Sequence, residues 1–210
     1  SSPDIWISDI ESGFIPHFTR TIHRFGDLDD RHNFGRCADA LGHTRAFSYW
    51  TRRGITIDTQ RWYETCASHD WPGLLEGLLH CVHDQEIPSP PRAWEGTLWG
   101  DKTPAYMTEV PLLADLFPQG RFVHLIRDPR DCCLSAEHAW GHSPLRTAQR
   151  WADWVRACRT AGCRLGSGRY LEVQYENLVS DVEEKLAEVF AFLGVPTPDN
   201  AGRLLRVPEN

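Results

Sequence analysis

Arg127 closes the run Phe122-Val-His-Leu-Ile126 and is followed by Asp128-Pro129-Arg130-Asp131 and then Ser135. Short apolar runs of this kind suit a strand covered on both faces. Asp128 suits a helix N-cap and Pro129 the first helical position. Backbone donors, a helix dipole and a forked cation thus meet a hydroxyl at one turn, which is the chemistry of an anion site. The same spacing also lets Arg127 pair with Asp131 as a purely structural ion pair. Two other positions stand at the ends of strand candidates: Lys102 in Gly100-Asp-Lys-Thr-Pro104, and Tyr175 in Tyr170-Leu-Glu-Val-Gln-Tyr175. His80, Cys81 and His83 invite a metal reading. They lie on an amphipathic helix without a convincing third ligand, so no metal is expected.

The elements that must hold these residues are partly visible. Ile5-Trp6-Ile7 is a short strand candidate, and Phe14, Ile15, Phe18, Ile22 and Phe25 recur at helical spacing until Gly26. Residues 27–60 are polar and read as an insert or loop. Leu74, Leu75, Leu78, Leu79 and Val82 mark an amphipathic helix, and Pro88-Ser-Pro-Pro91 a loop. Thr97-Leu-Trp99 is a strand candidate, after which Thr103 caps a helix through Met107, Val110, Leu113 and Leu116, kinked at Pro111. Ser143-Pro144 opens a further helix. Ser180 with Glu183 forms a capping box ahead of a helix that Gly194 closes.

From residue 97 on, strands and helices alternate. The fold expected is α/β, a parallel sheet flanked by helices on both faces, with the 210 residues as one domain. Ligands of such sheets bind beyond the carboxyl ends of the strands. Lys102, Arg127 and Tyr175 should share that rim. The composition agrees with an ordinary globular chain: 41% hydrophobic and 24% charged residues, with a net charge of -7 that argues against a general nucleic-acid binder. No apolar run reaches the roughly 20 residues of a membrane span. The 7 cysteines are odd in number and include the vicinal pair Cys132-Cys133, which points to a reducing compartment and a cytoplasmic location. The 9 tryptophans suit the core and a ligand-site lining better than a nucleic-acid platform.

Taken together, Gly100-Asp-Lys-Thr-Pro104, Leu125-Ile-Arg-Asp-Pro-Arg-Asp131 with Ser135, and Tyr175-Glu-Asn-Leu178 ahead of Phe192-Leu-Gly194 resemble the sulfotransferases. Members of that family use 3′-phosphoadenosine-5′-phosphosulfate (PAPS). The resemblance implies an α/β, P-loop nucleotide-kinase-like three-layer sandwich, sulfuryl transfer to an acceptor hydroxyl or amine, release of adenosine 3′,5′-bisphosphate, and no metal. It implies that Arg127 and Ser135 bind the donor's 3′-phosphate, apt for a guanidinium that meets phosphate bidentately. Lys102 would stabilise charge on the oxygen that leaves. Tyr175 would lie near the adenine, the alternative being a core tyrosine that closes its strand. Arg130 is expected to be a solvated turn residue.

The segment Ser2-Pro3-Asp4, with Glu11 and Pro16 following, looks like the tyrosylprotein and heparan-type branch. In that branch a glutamate near the first helix is the proposed base. Glu11 matches best and Asp9 is the fallback. The family's opening strand and its phosphosulfate-cradling loop have no counterpart, so the sequence is expected either to lack a front segment or to be a true fragment. Ala139 stands where tyrosylprotein relatives carry a basic residue, leaving His138 beside it. The acceptor, a small molecule, carbohydrate or peptide, should be lined by residues 12–95. Two other readings stay open: a nucleotide kinase of the P-loop type, and a non-catalytic member that binds a nucleotide or a partner.

Overall fold

The computed structural model describes residues 4–87, 94, 97–199 and 201. The chain divides into two compact units, Ser1–Tyr106 and Met107–Asn210. Ser2 and Pro3, and the proposed loop at Pro88–Pro91, lie outside the described residues.

In the first unit β1 (Ile5–Ile7) pairs in parallel with β2 (Leu98–Gly100). The remainder is helical: α1 (Ile15–Thr21), continued by a 3-10 turn over Ile22–Phe25 up to Gly26, then α2 (Arg31–Gly42), α3 (Arg45–Arg52), α4 (Thr59–Thr65) and α5 (Trp71–Glu86). The polar stretch 27–60 is therefore not a loop but contains α2, α3 and the start of α4. Its helices bury narrow stripes, which hid them from a periodicity reading: in α2 only Phe34, Cys37, Ala38 and Leu41 are buried. Aspartates start them. The Asp30 carboxylate accepts from His32 N (2.9 Å) and Asn33 N (3.0 Å), and that of Asp58 from Arg61 N (2.7 Å). These stripes meet α5 in a core that includes the fully buried Trp50, Trp62, Phe34, Leu41, Leu74, Leu75, Leu78 and Val82. The Trp62 indole donates to the Leu74 carbonyl at 2.8 Å, so even this large ring leaves no polar atom unpaired.

In the second unit β3 (Phe122–Ile126) pairs in parallel with β4 (Tyr170–Gln174), Ile126 opposite Gln174. Around them run α6 (Val110–Leu116), α7 (Pro129–Trp140), α8 (Pro144–Leu165), α9 (Tyr175–Ser180) and α10 (Val182–Leu193). Pro111 falls in the first turn of α6 and does not kink it, because a 3-10 turn over Pro104–Thr108 precedes the helix. The capping box at Ser180 does not form: Ser180 ends α9, and Asp181 starts α10 without a side-chain cap. One face of the β3–β4 pair meets α8, where Arg159 grips Glu172 with both prongs (2.8 and 2.6 Å). Beside it the buried His124 meets the Tyr170 hydroxyl at 2.6 Å. Arg169 bonds the carbonyls of Ala114, Phe117 and Gly120, closing the carboxyl end of α6 onto the start of β3.

The fold is thus α/β with parallel strands, as expected, but the strands form two separate pairs. Arg127 and Tyr175 follow the carboxyl ends of paired strands and share a rim. Lys102 follows the carboxyl end of β2, which takes β1 as its neighbour.

Candidate active site

The first unit brings Lys102 to Glu11. The Lys102 ammonium donates to Glu11 Oε1 at 2.7 Å, across 91 positions of sequence. The side chains are 66% and 50% exposed, so the pair faces solvent and is open to a substrate. The loop before α1 presents Glu11. Ser8 Oγ accepts from Ile10 N at 3.3 Å, and Gly13 has the positive φ (67°) that favours glycine. Asp9, the fallback base, is engaged elsewhere, with Arg53 at 3.1 Å.

Asp101, Ser12 and Tyr106 were not singled out by the sequence, and they surround this pair. Asp101 Oδ2 accepts from Ser12 N at 3.3 Å. Ser12 Oγ meets the Tyr106 hydroxyl at 2.7 Å, and that hydroxyl also accepts from Ile15 N at 3.1 Å. Asp101 is accessible as a residue, yet the crowding around its carboxyl raises the pKa above the ordinary carboxylate value. Hydrogen bonding from Ser12 restrains the rise. Burial pushes the Tyr106 phenol up to about 12. The only signal in the sequence was adjacency, Asp101 to Lys102 and Ser12 to Glu11; nothing in the spacing joins position 12 to 106.

The second unit holds the other group. The Arg127 guanidinium lies over the Tyr175 ring, 5.1 Å from its centroid, a cation–π contact. Arg127 also approaches Asp131 at 3.6 Å, so the structural pairing exists, but it is loose and the side chain is 44% exposed. The Arg127 carbonyl is fixed by the Trp151 indole at 3.0 Å, which holds the turn in place. Asp128 caps α7 by accepting from Arg130 N (2.8 Å), and the Arg130 fork at 2.6 Å holds its pKa down to about 2. Arg130 is otherwise solvated, as its place in the turn implied. Ser135 is exposed on α7, and Tyr175 carries the guanidinium as its immediate neighbour. Arg127 and Tyr175 are brought together, from the turn after β3 and the start of α9, whereas Ser135 lies in the middle of α7. His138 and Ala139 are exposed too.

His80 stacks on Trp94 (4.9 Å between centroids), and His83 is buried against Trp6 and Trp94. Both histidines serve packing in the first unit. The seven cysteines are all free. No described helix is long and apolar enough to cross a membrane.

Against known proteins, residues 17–199 match the model of the sulfotransferase family, and the chain belongs to that family. It is 24% identical over 110 residues to the omega-hydroxy-beta-dihydromenaquinone-9 sulfotransferase Stf3 of Mycobacterium bovis and to that of Mycobacterium tuberculosis. The match covers 45% of this chain and 28% of theirs, so the chain spans little more than a quarter of these relatives. Among solved structures it is similar to the sulfotransferase domain of the Synechococcus PCC 7002 olefin synthase. That likeness has a TM-score of 0.59 at 23% identity, over 95% of this chain and 67% of that one, and it shows the fold.

Proposed function

We propose that this chain is a PAPS-dependent sulfotransferase whose acceptor presents a hydroxyl group. One observation carries the reading: the Lys102–Glu11 contact at 2.7 Å, exposed and built from distant positions in a family member. Sulfuryl transfer forms a bond from sulfur to the acceptor oxygen and breaks the bond to the donor's bridging oxygen. The acceptor proton must leave, and charge builds on the departing oxygen. Glu11 takes that proton, and Lys102 faces the developing charge. The pairing couples the two tasks. Protonating Glu11 removes the charge that holds the Lys102 ammonium, which is then free to serve the oxygen that leaves.

Arg127, stiffened by the Tyr175 ring, suits the donor's 3′-phosphate. Phosphate offers a planar fork two acceptors at once, a better match than the 3.6 Å approach of Asp131 that it would displace. Ser135, on the helix that follows Arg127, is assigned the part of a neutral donor. Tyr175 has one ring face occupied by Arg127, so its part is to orient the guanidinium. For the acceptor, the first unit offers a cleft of about 360 Å³ whose lining mixes the apolar Phe18, Phe25 and Ala40 with the polar His17, Thr21, Arg24, His43 and Thr44. A hydroxylated acceptor with both apolar and polar parts suits that mixed lining, and a hydroxy compound is the substrate in the mycobacterial relatives' name.

The test is formation of adenosine 3′,5′-bisphosphate from PAPS in the presence of a long-chain ω-hydroxy lipid, a simple phenol, a sugar and a tyrosine peptide. Transfer to the hydroxy lipid is expected, with Glu11→Gln slower by about 10²–10⁴-fold. Product with none of the four, or an undiminished rate in Glu11→Gln, contradicts the reading.

A further inference from the structure

We propose that Asp101, Ser12 and Tyr106 are positioning residues that lock the Glu11 carboxylate against Lys102; the proposal rests on the reading of Glu11 and Lys102 as the reacting pair. An exposed ion pair by itself gains too little to hold two mobile side chains in one geometry. The side chain of Glu11 bonds to Lys102, itself a mobile side chain, so its place must be fixed through the backbone. That backbone is pinned immediately afterwards, at Ser12 N by Asp101 and at Ile15 N by the Tyr106 hydroxyl.

The register of the lock is what assigns its purpose. Asp101 and Lys102 are consecutive at the end of β2, and they meet Ser12 and Glu11, which are consecutive in the loop before α1. One step of slippage would break both contacts together. Tyr106 supplies the second anchor. Phe14, the N-cap of α1, makes no side-chain cap bond, and the Tyr106 hydroxyl receives the Ile15 N–H of the first turn instead. The same hydroxyl holds Ser12 Oγ at 2.7 Å, so one buried phenol ties the helix start to the residue beside the base. Gly13 allows the turn between these two anchor points.

The chain offers a direct reading of this geometry, because Lys102 and Lys185 are its only lysines. A water-soluble carbodiimide joins a carboxylate to an amine in contact with it. The lysine nitrogen bonds to the carboxyl carbon, and the activated oxygen departs with the carbodiimide as a urea. In the full chain the expected products are the Glu11–Lys102 amide and, as an internal standard, the Glu188–Lys185 amide, whose groups lie 3.0 Å apart. Tyr106→Phe and Ser12→Ala should each cut the first yield relative to the second by about 3- to 10-fold, the share a lost buried hydrogen bond carries. Ser12→Thr, which keeps the hydroxyl, should restore it. Where transfer is measurable, kcat falls with the cross-link while donor affinity stays unchanged. An unchanged ratio in both variants overturns the lock, and so does an equal fall of both amides, which marks general loosening. The readout needs neither donor nor acceptor, so its failure is separate from a failure of Glu11→Gln to lose transfer.

Discussion

Replacing Gly162 with alanine places the sharpest load on the second unit. A Cβ built at Gly162 would sit 2.5 Å from both Cδ1 and Cε1 of Tyr170 and 2.8 Å from its Cγ. Ordinary contact begins near 3.4 Å, so the ring must retreat by almost an ångström. It has little freedom to do so. Tyr170 packs with Phe122 and Met107 on the cluster of Val110, Cys158 and Ala161, and its hydroxyl is held by His124 at 2.6 Å. Overpacking of this kind costs about 1–3 kcal/mol, and the fixed ring places it at the upper end. Alanine's better helix propensity returns roughly 1 kcal/mol. The net loss is about 2 kcal/mol, a fall in Tm of about 4–8 °C for a chain of this size. Calorimetric or circular-dichroism melting reads it. Gly35 in α2 is the control: a Cβ there meets nothing within 4 Å, so Gly35→Ala should raise Tm by a few degrees. An unchanged or raised Tm in Gly162→Ala refutes the packing argument.

Arg127→Ala should weaken adenosine 3′,5′-bisphosphate by about 1.5–3 kcal/mol, the worth of charge-assisted hydrogen bonds, read by titration calorimetry. Tyr175→Leu should give a smaller loss of the same sign, and Tyr175→Phe almost none, because the contact with Arg127 needs only the ring. Burial lowers the pKa of His124, opposed by Glu172 and aided by Arg159. The neutral form is therefore favoured in the fold. Its contribution is complete above the ordinary value of about 6.5 and declines as pH falls below it, because the unfolded chain takes up the proton first, at no more than about 1.4 kcal/mol per pH unit. The denaturation midpoint should fall less between pH 7.5 and 5.5 in His124→Asn than in the unmodified chain, and equal slopes would remove His124 from that role.

The second unit was the more legible in sequence because its signals are local. A strand, an arginine, an Asp-Pro cap and a helix follow one another within Phe122–Trp140, and each piece reads from its neighbours. That Arg127 and Tyr175 both end strands was legible, but that the guanidinium lies on the Tyr175 ring was not, because the register that sets Ile126 opposite Gln174 is written in neither strand. The helices α2 and α3 were not legible. Their buried stripes are thin, and the arginines, aspartates and histidines between them mimic a loop. Nor was the division into two strand pairs, because apolar runs announce strands without naming their neighbours. The bond from Tyr106 to Ser12 joins residues 94 apart, and only folding connects them. Lys102 and Glu11 emerged separately, from family-like motifs. Their contact was beyond any local pattern.

Release of adenosine 3′,5′-bisphosphate from PAPS, followed for the unmodified chain, Lys102→Ala and Lys102→Arg with a long-chain ω-hydroxy acceptor, tests the central claim most directly. Acceptor-dependent release by the unmodified chain is expected, with Lys102→Ala slower by about 10²–10³-fold, as for other groups that face developing charge. Lys102→Arg should recover part of the rate, and donor affinity should change little. Equal release by Lys102→Ala and the unmodified chain would contradict the account.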